Sequence, residues 1–244
     1  MHQTLEALNA FRDAFLGASR PCDTELKILF ARVLKKSFSP TEQEGHCQTC
    51  GLDLPWQENG KIHCKTCVSK RGTPHKTIAL STYEGGLGVL IAAAKYTGWA
   101  EPLRMAGELL GTELKIRGGS SLQKKVIVPM PSPWIRTLHR GIDHSMVIAR
   151  EVSRVTDWPI HRVLKRKWVA PQVGLSRSER MRGGKGLEAI PISTVSLSIP
   201  GTEVVLIDDV RTTGATLDKA SRMCMALGAR RVIAGVVAMR ASDD

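Results

Sequence analysis

The sequence predicts an α/β fold in which a parallel sheet is flanked by helices. Apolar segments typical of strands alternate along residues 76–244 with segments of helical spacing. A chain of 244 residues, 42% of them apolar, suits one such domain with a small appendage. Two close cysteine pairs precede the domain and indicate a separate module. We therefore divide the chain into a helical extension over 1–42, a four-cysteine module over 43–72 and the α/β domain over 76–244.

The N-terminal extension has the apolar spacing of two helices, which Pro21 separates and Pro40 ends. It either docks on a partner or packs on the domain behind it, and we assign no chemistry to it. Met1–Leu16 carries acidic residues and lacks the cleavage site of a signal peptide. The sequence has no run of about 18 apolar residues, the length that a membrane span needs. We expect a cytoplasmic protein with no membrane insertion.

The α/β domain contains five candidate strands and three candidate helices. The expected strands are Ile78–Tyr83, Val126–Pro129, His161–Lys165, Val204–Asp208 and Val232–Met239. The expected helices are Leu87–Tyr96, His144–Val155 and Thr216–Leu227. Two long loops, Met130–Gly141 and Arg166–Gly186, connect them, and loops of this length are usually functional or disordered. The alternation of strands and helices predicts a parallel, doubly wound sheet.

The segment Val204–Thr216 is the strongest candidate site. Its apolar strand ends on Asp208 and Asp209, at the edge of a parallel sheet where α/β folds bind ligands. A turn of small residues follows and opens a helix, and its members are Thr212, Thr213, Gly214, Ala215 and Thr216. Backbone N–H groups at a helix start, together with threonine hydroxyls, can bind a phosphate. Two adjacent carboxylates beside such a turn suit the hydroxyls of a sugar phosphate, and the alternative is that they only cap the helix.

Four cysteines form the pairs Cys47–Cys50 and Cys64–Cys67, each with two residues between its members. Two such pairs can supply the four thiolates of a tetrahedral zinc site. A closed site of this kind leaves no position for water, so we interpret it as structural. His46 and His63 flank the pairs and either replace a cysteine or are simply exposed. Two labile disulfides or an iron–sulfur cluster are the alternatives.

The charge of the chain is +12 and is unevenly distributed. Residues 134–185 contain twelve Lys and Arg against four Asp and Glu, which is a local excess of eight positive charges. Such a field favours a polyanion or a phosphorylated small molecule over a merely soluble surface.

Taken in order, these motifs resemble the ComF family of competence proteins over about residues 45–240. Further matches are the short motifs at 83–85, 95–98, 128–131, 140–141 and 171–180. The family pairs a four-cysteine module with a type I phosphoribosyltransferase domain. Two departures are Ile142-Asp143-His144, where members usually have Phe-Asn-Gln, and Met181-Arg182-Gly183, where an Asn is common.

The resemblance implies a site for 5-phosphoribosyl pyrophosphate and a magnesium ion that accompanies it. Asp208 and Asp209 would hold the 2′- and 3′-hydroxyls, and Thr212–Thr216 the 5′-phosphate. Arg136 and Arg140, on the loop after the first core strand, would contact pyrophosphate, because a guanidinium fork suits phosphate oxygens. Asp209 is also the candidate general base for an acceptor.

Two functions from different classes are compatible with the resemblance. The first is phosphoribosyl transfer to an acceptor nitrogen, with release of pyrophosphate, either in DNA uptake or in salvage metabolism. The second is a binding protein of natural competence that holds a ligand and single-stranded DNA through its basic loops, with a helicase of the uptake machinery as partner. The oligomeric state and the acceptor are not predicted.

Overall fold

The computed structural model describes residues 47, 49, 63, 64, 67, 68, 74–83, 91, 94, 100–118, 123–132, 141–167, 186–190 and 199–239. Their strands are β1 (Lys76–Thr82), β2 (Lys125–Pro129), β3 (Leu164–Arg166), β4 (Leu187–Ala189), β5 (Glu203–Arg211) and β6 (Arg231–Met239). Their helices are α1 (Glu101–Arg117), α2 (His144–Thr156) and α3 (Ala215–Ala226). The extension over 1–42 and most of the module over 43–72 lie outside the described residues.

Four strands form a parallel sheet in the order β1-β6-β5-β2. Strand β5 lies between β6 and β2, and its hydrogen bonding to β6 continues to the pair Arg211–Met239. Strands β3 and β4 form a separate antiparallel pair. The predicted class, a parallel sheet flanked by helices, is confirmed.

Both faces of the sheet are buried, as expected for parallel strands whose connecting helices cover the two sides. Alternate residues of one strand belong to different apolar clusters, because successive side chains point to opposite faces. On β5, Val205 and Ile207 pack with α1 and α2, whereas Val204 and Leu206 pack with α3. Helices therefore pack on both faces of the sheet, and this packing fixes the backbone position of the residues at the end of β5.

Helices α1 and α2 approach each other closely at two glycines of α1. A Cβ at Gly107 would lie 2.8 Å from the Ile148 carbonyl oxygen, and one at Gly111 would lie 2.9 Å from the Val155 Cβ. The missing side chains let α2 lie directly against α1 and thereby fix where α2 begins, near the end of β5.

Several predicted boundaries differ from the observed ones. Strand β5 is four residues longer than expected, one at its start and three at its end, since β6 provides a partner as far as Met239. Consequently Asp208 and Asp209 lie inside the strand rather than at its end. Helix α3 begins one residue earlier than predicted, at Ala215. The strand expected at 161–165 is displaced to Leu164–Arg166, because Leu187–Ala189, which was not predicted as a strand, pairs there.

Helix α1 was not predicted, although its sequence contains helix signals. Glu101 and Pro102 stand in its first turn, where an acidic residue and a proline are favoured. Leu103, Leu110 and Leu114 then recur on one buried face. In the preceding segment, where a helix over 87–96 was predicted, Ile91 and Ala94 are helical and buried, and the rest lies outside the described residues.

Candidate functional site

The two aspartates of the candidate site are neighbours on β5 and both are half-buried. Asp208 pairs with Val236 of β6, so its backbone is part of the sheet. The Asp209 side chain is 15% exposed. The carboxylates therefore stand on a fixed backbone and remain accessible to a ligand at the carboxyl edge of the sheet, where α/β folds bind their ligands.

The carboxylate of Asp208 is oriented by two hydrogen-bond donors. The Ser145 hydroxyl donates to Oδ1 over 3.2 Å, and the backbone N–H of Asp209 donates to the same oxygen over 2.9 Å. Ser145 is the second residue of α2 and is buried. Helix α2 thus brings a hydroxyl to the acidic pair from a separate part of the chain.

His144 approaches the second carboxylate from the same helix end. Its Nδ1 lies 3.6 Å from Oδ2 of Asp209, and the residue is only 3% exposed. Its Nε2 is buried, and no hydrogen-bond partner for it is found within the described part of the chain. An imidazole this close can help to orient the Asp209 carboxylate.

Asp143 caps α2, and this accounts for one residue of the Ile142-Asp143-His144 departure from the ComF pattern. Its side chain accepts a hydrogen bond from the Met146 backbone N–H over 3.4 Å. Asn and Asp serve equally well at this position of a helix, so the replacement of Asn by Asp preserves the helix start. The next residue, His144, alters the chemistry of the candidate site, because an imidazole replaces the usual Gln and lies against Asp209.

The turn after β5 leads directly into α3. Thr212 and Thr213 are exposed, Gly214 is buried, and Ala215 and Thr216 are half-buried. Gly214 adopts φ +74°, a left-handed conformation that favours glycine. The Thr213 hydroxyl accepts from the Ala215 backbone N–H over 3.5 Å. The first N–H groups of a helix have no acceptor within the helix, so this turn offers amides and hydroxyls to an anion.

Three of the four candidate metal ligands are described, and the structure brings them together. The sulfur atoms of Cys47, Cys64 and Cys67 all lie within 4.8 Å of one another. Two thiolates at about 2.3 Å from one tetrahedral zinc ion are themselves about 3.8 Å apart, so this spacing fits zinc with little adjustment. None of the described cysteines is in a disulfide. The cluster could therefore hold a metal ion such as zinc.

The surroundings of the sulfur atoms also suit a metal site. The Cys64 backbone N–H lies 3.3 Å from Cys47 Sγ and donates to it, which stabilises a thiolate. His63, considered as a replacement ligand, instead has its Nδ1 3.0 Å from the Thr49 hydroxyl. Thus the described candidate ligands are all cysteines, and His63 links the two cysteine pairs by a hydrogen bond.

Other sequence predictions fall elsewhere. Cys50, Arg136 and Arg140 lie outside the described residues, as does most of the loop over 166–186. Cys224 is a core residue of α3, where burial raises the pKa of its thiol to about 12. None of the helices in the described part of the chain combines the length and the apolar character of a membrane span.

The chain is similar to curated proteins of two names. Competence protein F of Haemophilus influenzae is 27% identical over 195 residues, which are 77% of this chain and 81% of that protein. DNA utilization protein YhgH of Escherichia coli (strain K12) is 27% identical over 190 residues, which are 76% of this chain and 80% of that protein. No protein-family model matches the sequence.

Similar solved structures include two phosphoribosyltransferases. The purine phosphoribosyltransferase of Pyrococcus horikoshii Ot3 has 19% identity and a TM-score of 0.35, with 57% of this chain and 73% of that chain covered. A hypoxanthine phosphoribosyltransferase of Staphylococcus aureus has 14% identity and a TM-score of 0.39, with coverages of 60% and 70%. The relation to the curated proteins carries the assignment: the chain is a homologue of competence protein F and of the YhgH proteins, as its resemblance to the ComF family predicted.

Proposed function

We propose that the protein binds 5-phosphoribosyl pyrophosphate, as its complex with Mg²⁺, at Asp208–Thr216. One observation carries the proposal: two half-buried carboxylates stand on the central strand β5, and an amide- and hydroxyl-bearing turn follows them at the start of α3. A phosphate alone would be repelled by the acidic pair. A sugar phosphate matches both parts, since its hydroxyls donate to carboxylates and its phosphate accepts from the turn.

Each half of the site then has a defined task. Asp208 and Asp209 accept hydrogen bonds from the 2′- and 3′-hydroxyls of the ribose, and Ser145 and His144 hold the two carboxylates in place. The turn over 212–216 receives the 5′-phosphate. Arg136 and Arg140 remain the predicted contacts of the magnesium-bound pyrophosphate group.

Phosphoribosyl transfer is the reaction that such a complex would undergo with a nitrogen acceptor. The nitrogen forms a bond to the anomeric carbon as the bond from that carbon to pyrophosphate breaks, and pyrophosphate leaves with the bonding electrons. The transition state resembles an oxocarbenium ion, as in glycosyl transfer. The acceptor proton passes to a base, and Asp209, backed by His144 at 3.6 Å, is the candidate. Water must be kept away from the anomeric carbon during the transfer, and closure of a loop over the site would achieve this.

The four-cysteine module has a structural role in this proposal. A zinc ion held by four thiolates has no open position, so it supplies folding energy rather than chemistry. Cys47, Cys64 and Cys67 would hold the ion together with Cys50.

Calorimetric titration of 5-phosphoribosyl pyrophosphate with Mg²⁺ into the zinc-loaded protein tests the proposal. We expect binding by the wild type and its loss in the Asp208→Asn, Asp209→Asn variant. Asp157→Asn is the matched control, because Asp157 is exposed at the end of α2, in a left-handed conformation that Asn tolerates. This control should bind like the wild type.

Two further ligands show which half of the sugar phosphate is recognised. Ribose 5-phosphate should bind more tightly than 2-deoxyribose 5-phosphate to the wild type, and the Asp-to-Asn variant should lose this preference. If the folded, zinc-loaded wild type binds none of these ligands, the proposal is wrong. Once binding is established, pyrophosphate release in the presence of candidate acceptors tests the transfer reaction.

Single-stranded DNA binding is the second candidate function. It is favoured by the names of the homologues, competence protein F and DNA utilization protein, and by the positive charge of residues 134–185. Described side chains of this segment that stand on β3 or next to it are Lys165, Arg166 and Lys167. DNA binding would use the phosphate backbone and is compatible with a sugar-phosphate site elsewhere on the domain.

A further inference from the structure

A buried arginine lies between the acidic pair, Asp208 and Asp209, and the turn Thr212–Thr216 that is proposed to bind the phosphate (the phosphate turn). Arg211 is the last residue of β5, and it is only 6% exposed. Its Nη1 donates to the backbone oxygen of Thr49 over 3.2 Å and to the Thr77 hydroxyl over 2.6 Å. A buried guanidinium without partners is strongly destabilising, so these contacts constrain where the side chain lies.

Thr49 belongs to the cysteine module, because it lies inside the first pair between Cys47 and Cys50. Its backbone oxygen also accepts from the Thr77 hydroxyl over 2.6 Å, which joins the module to β1. Its side-chain hydroxyl is 3.0 Å from Nδ1 of His63, the residue before Cys64. Thr49, whose carbonyl accepts from Arg211, therefore belongs to the first cysteine pair and is hydrogen-bonded to the residue before the second pair.

The same guanidinium packs against the phosphate turn. A Cβ at Gly214 would lie 2.5 Å from Arg211 Nη2 and 2.9 Å from Nε. Gly214 is buried and holds a left-handed φ in the middle of the Thr212–Thr216 segment. One rigid, planar group thus touches the backbone of the metal module and the backbone of the turn.

The charge of an occupied metal site would make the position of the Arg211 guanidinium depend on the metal. Zn²⁺ with four thiolates would carry a net charge of about −2, and a buried guanidinium bound to the Thr49 carbonyl would offset part of it. The two groups that accept hydrogen bonds from Arg211 Nη1 are a carbonyl and a hydroxyl, which are neutral. Loss of the metal would loosen the turn that supplies the Thr49 carbonyl, and the guanidinium would lose a fixed partner.

We propose that Arg211 is a positioning residue that couples metal occupancy of the cysteine module to the conformation of the phosphate turn at Thr212–Thr216. The turn's ligand, a phosphate group, is taken from the proposed function. The link between metal and turn does not depend on it. By linkage, zinc strengthens phosphate binding and the bound phosphate strengthens zinc retention by the same factor, which we expect to be about fivefold or more.

The test uses the full-length, zinc-loaded chain and two variants that break the link at different points. Arg211→Met removes the guanidinium, and Thr77→Val removes one of its acceptors with little change of volume. Arg222→Met is the matched control, because Arg222 is exposed on α3. Zinc transfer to a chromophoric chelator and hydrogen exchange of a peptide spanning 212–216 are measured for each, with a peptide from Glu101–Arg117 as a report on global folding.

We expect both link variants to release zinc more readily, by about fivefold or more for Arg211→Met, and to exchange faster at 212–216. Exchange in α1 should be unchanged, and Arg222→Met should match the wild type in every readout. Wild-type zinc affinity in Arg211→Met, or unchanged exchange at 212–216 in both link variants, would overturn the proposal. So would loss of protection in α1 equal to that at 212–216, which would indicate a general folding role.

A second arm separates this inference from the proposed function. 5-Phosphoribosyl pyrophosphate with Mg²⁺ should slow zinc release from the wild type and have no such effect on Arg211→Met. Equal slowing in both proteins contradicts the coupling. If calorimetry shows that the wild type does not bind this ligand, the proposed function fails. The chelator and exchange results then still decide whether the metal and the turn are linked.

Discussion

Ser145 is a residue whose contribution to the site can be isolated. Its hydroxyl donates to Asp208 over 3.2 Å from the start of α2. One hydrogen bond of this kind contributes about 0.5–1.5 kcal/mol net, and that range corresponds to a factor of about 2–12 in Kd. We expect Ser145→Ala to weaken binding of 5-phosphoribosyl pyrophosphate by that factor in calorimetric titration, because Asp208 loses a group that orients it.

Ser153→Ala provides the control for this change. Ser153 stands on the same helix, and its hydroxyl donates to the Trp158 backbone oxygen over 2.7 Å, away from the acidic pair. It should lower stability without altering affinity. Unchanged affinity in Ser145→Ala, alongside lost binding in the Asp208→Asn, Asp209→Asn variant, would show that Ser145 does not position the carboxylate.

Part of the candidate site could be predicted from local sequence patterns. The acidic pair, the threonine turn and the cysteine pairs are local patterns, so their spacing along the chain carries their chemistry. The contacts that His144, Ser145 and Arg211 make were not predicted. Their contacts depend on how α2 and the cysteine module pack against β5, and no local pattern encodes that packing. A signal was nevertheless present for His144, since it stands where the ComF pattern was interrupted.

At the scale of elements, the close contact between α1 and α2 fixes the start of α2 beside the acidic pair. We expect Gly107→Ala to destabilise the protein by up to about 2 kcal/mol. The new methyl group would meet the Ile148 carbonyl oxygen at 2.8 Å, and a backbone group cannot rotate away. Overpacking typically costs about 1–3 kcal/mol, against a gain of about 1 kcal/mol in helix propensity. Denaturant unfolding measures the difference.

Thr112→Ala on the same helix should change the free energy of unfolding by no more than about 0.5 kcal/mol, because Thr112 is exposed. Gly107→Ala with wild-type or higher stability would mean that the two helices separate easily.

Most strands of the main sheet were predictable, because fully buried parallel strands are continuous apolar runs. Their ends were less predictable. The acidic residues at the end of β5 are typical of a loop, yet β6 supplies hydrogen-bond partners beyond them. Strand β4 was missed and β3 was expected to begin three residues too early, since three-residue strands in a polar segment leave almost no periodicity to detect.

At the scale of the whole molecule, the uneven charge predicts a salt-dependent interaction with nucleic acid. If single-stranded DNA binds, log K should fall with log salt concentration by about 0.7 for each phosphate contacted. Replacing Arg166 and Lys167 by Gln should reduce the magnitude of that slope by up to about 1.4. Fluorescence anisotropy of a labelled oligonucleotide across a salt series measures both.

The control double variant replaces Arg104 and Lys115 by Gln, because both side chains are exposed on α1, outside the basic segment. It should keep the wild-type slope. Binding that is insensitive to salt, or an equal change in both double variants, would count against DNA contact through residues 134–185.

The strand order has a consequence for how the chain folds as it is synthesised. Strand β1 pairs with β6, and in register Lys76 lies opposite Ile233, so the sheet joins two segments that are more than 150 residues apart. Among the described strands, β1 has no other neighbour, and it must wait until β6 has left the ribosome. Until then, the apolar faces of β1 and β5 are exposed, and such unfinished sheets are prone to aggregate. Nascent chains that stop before residue 231 should therefore depend on chaperones, whereas completed chains should not.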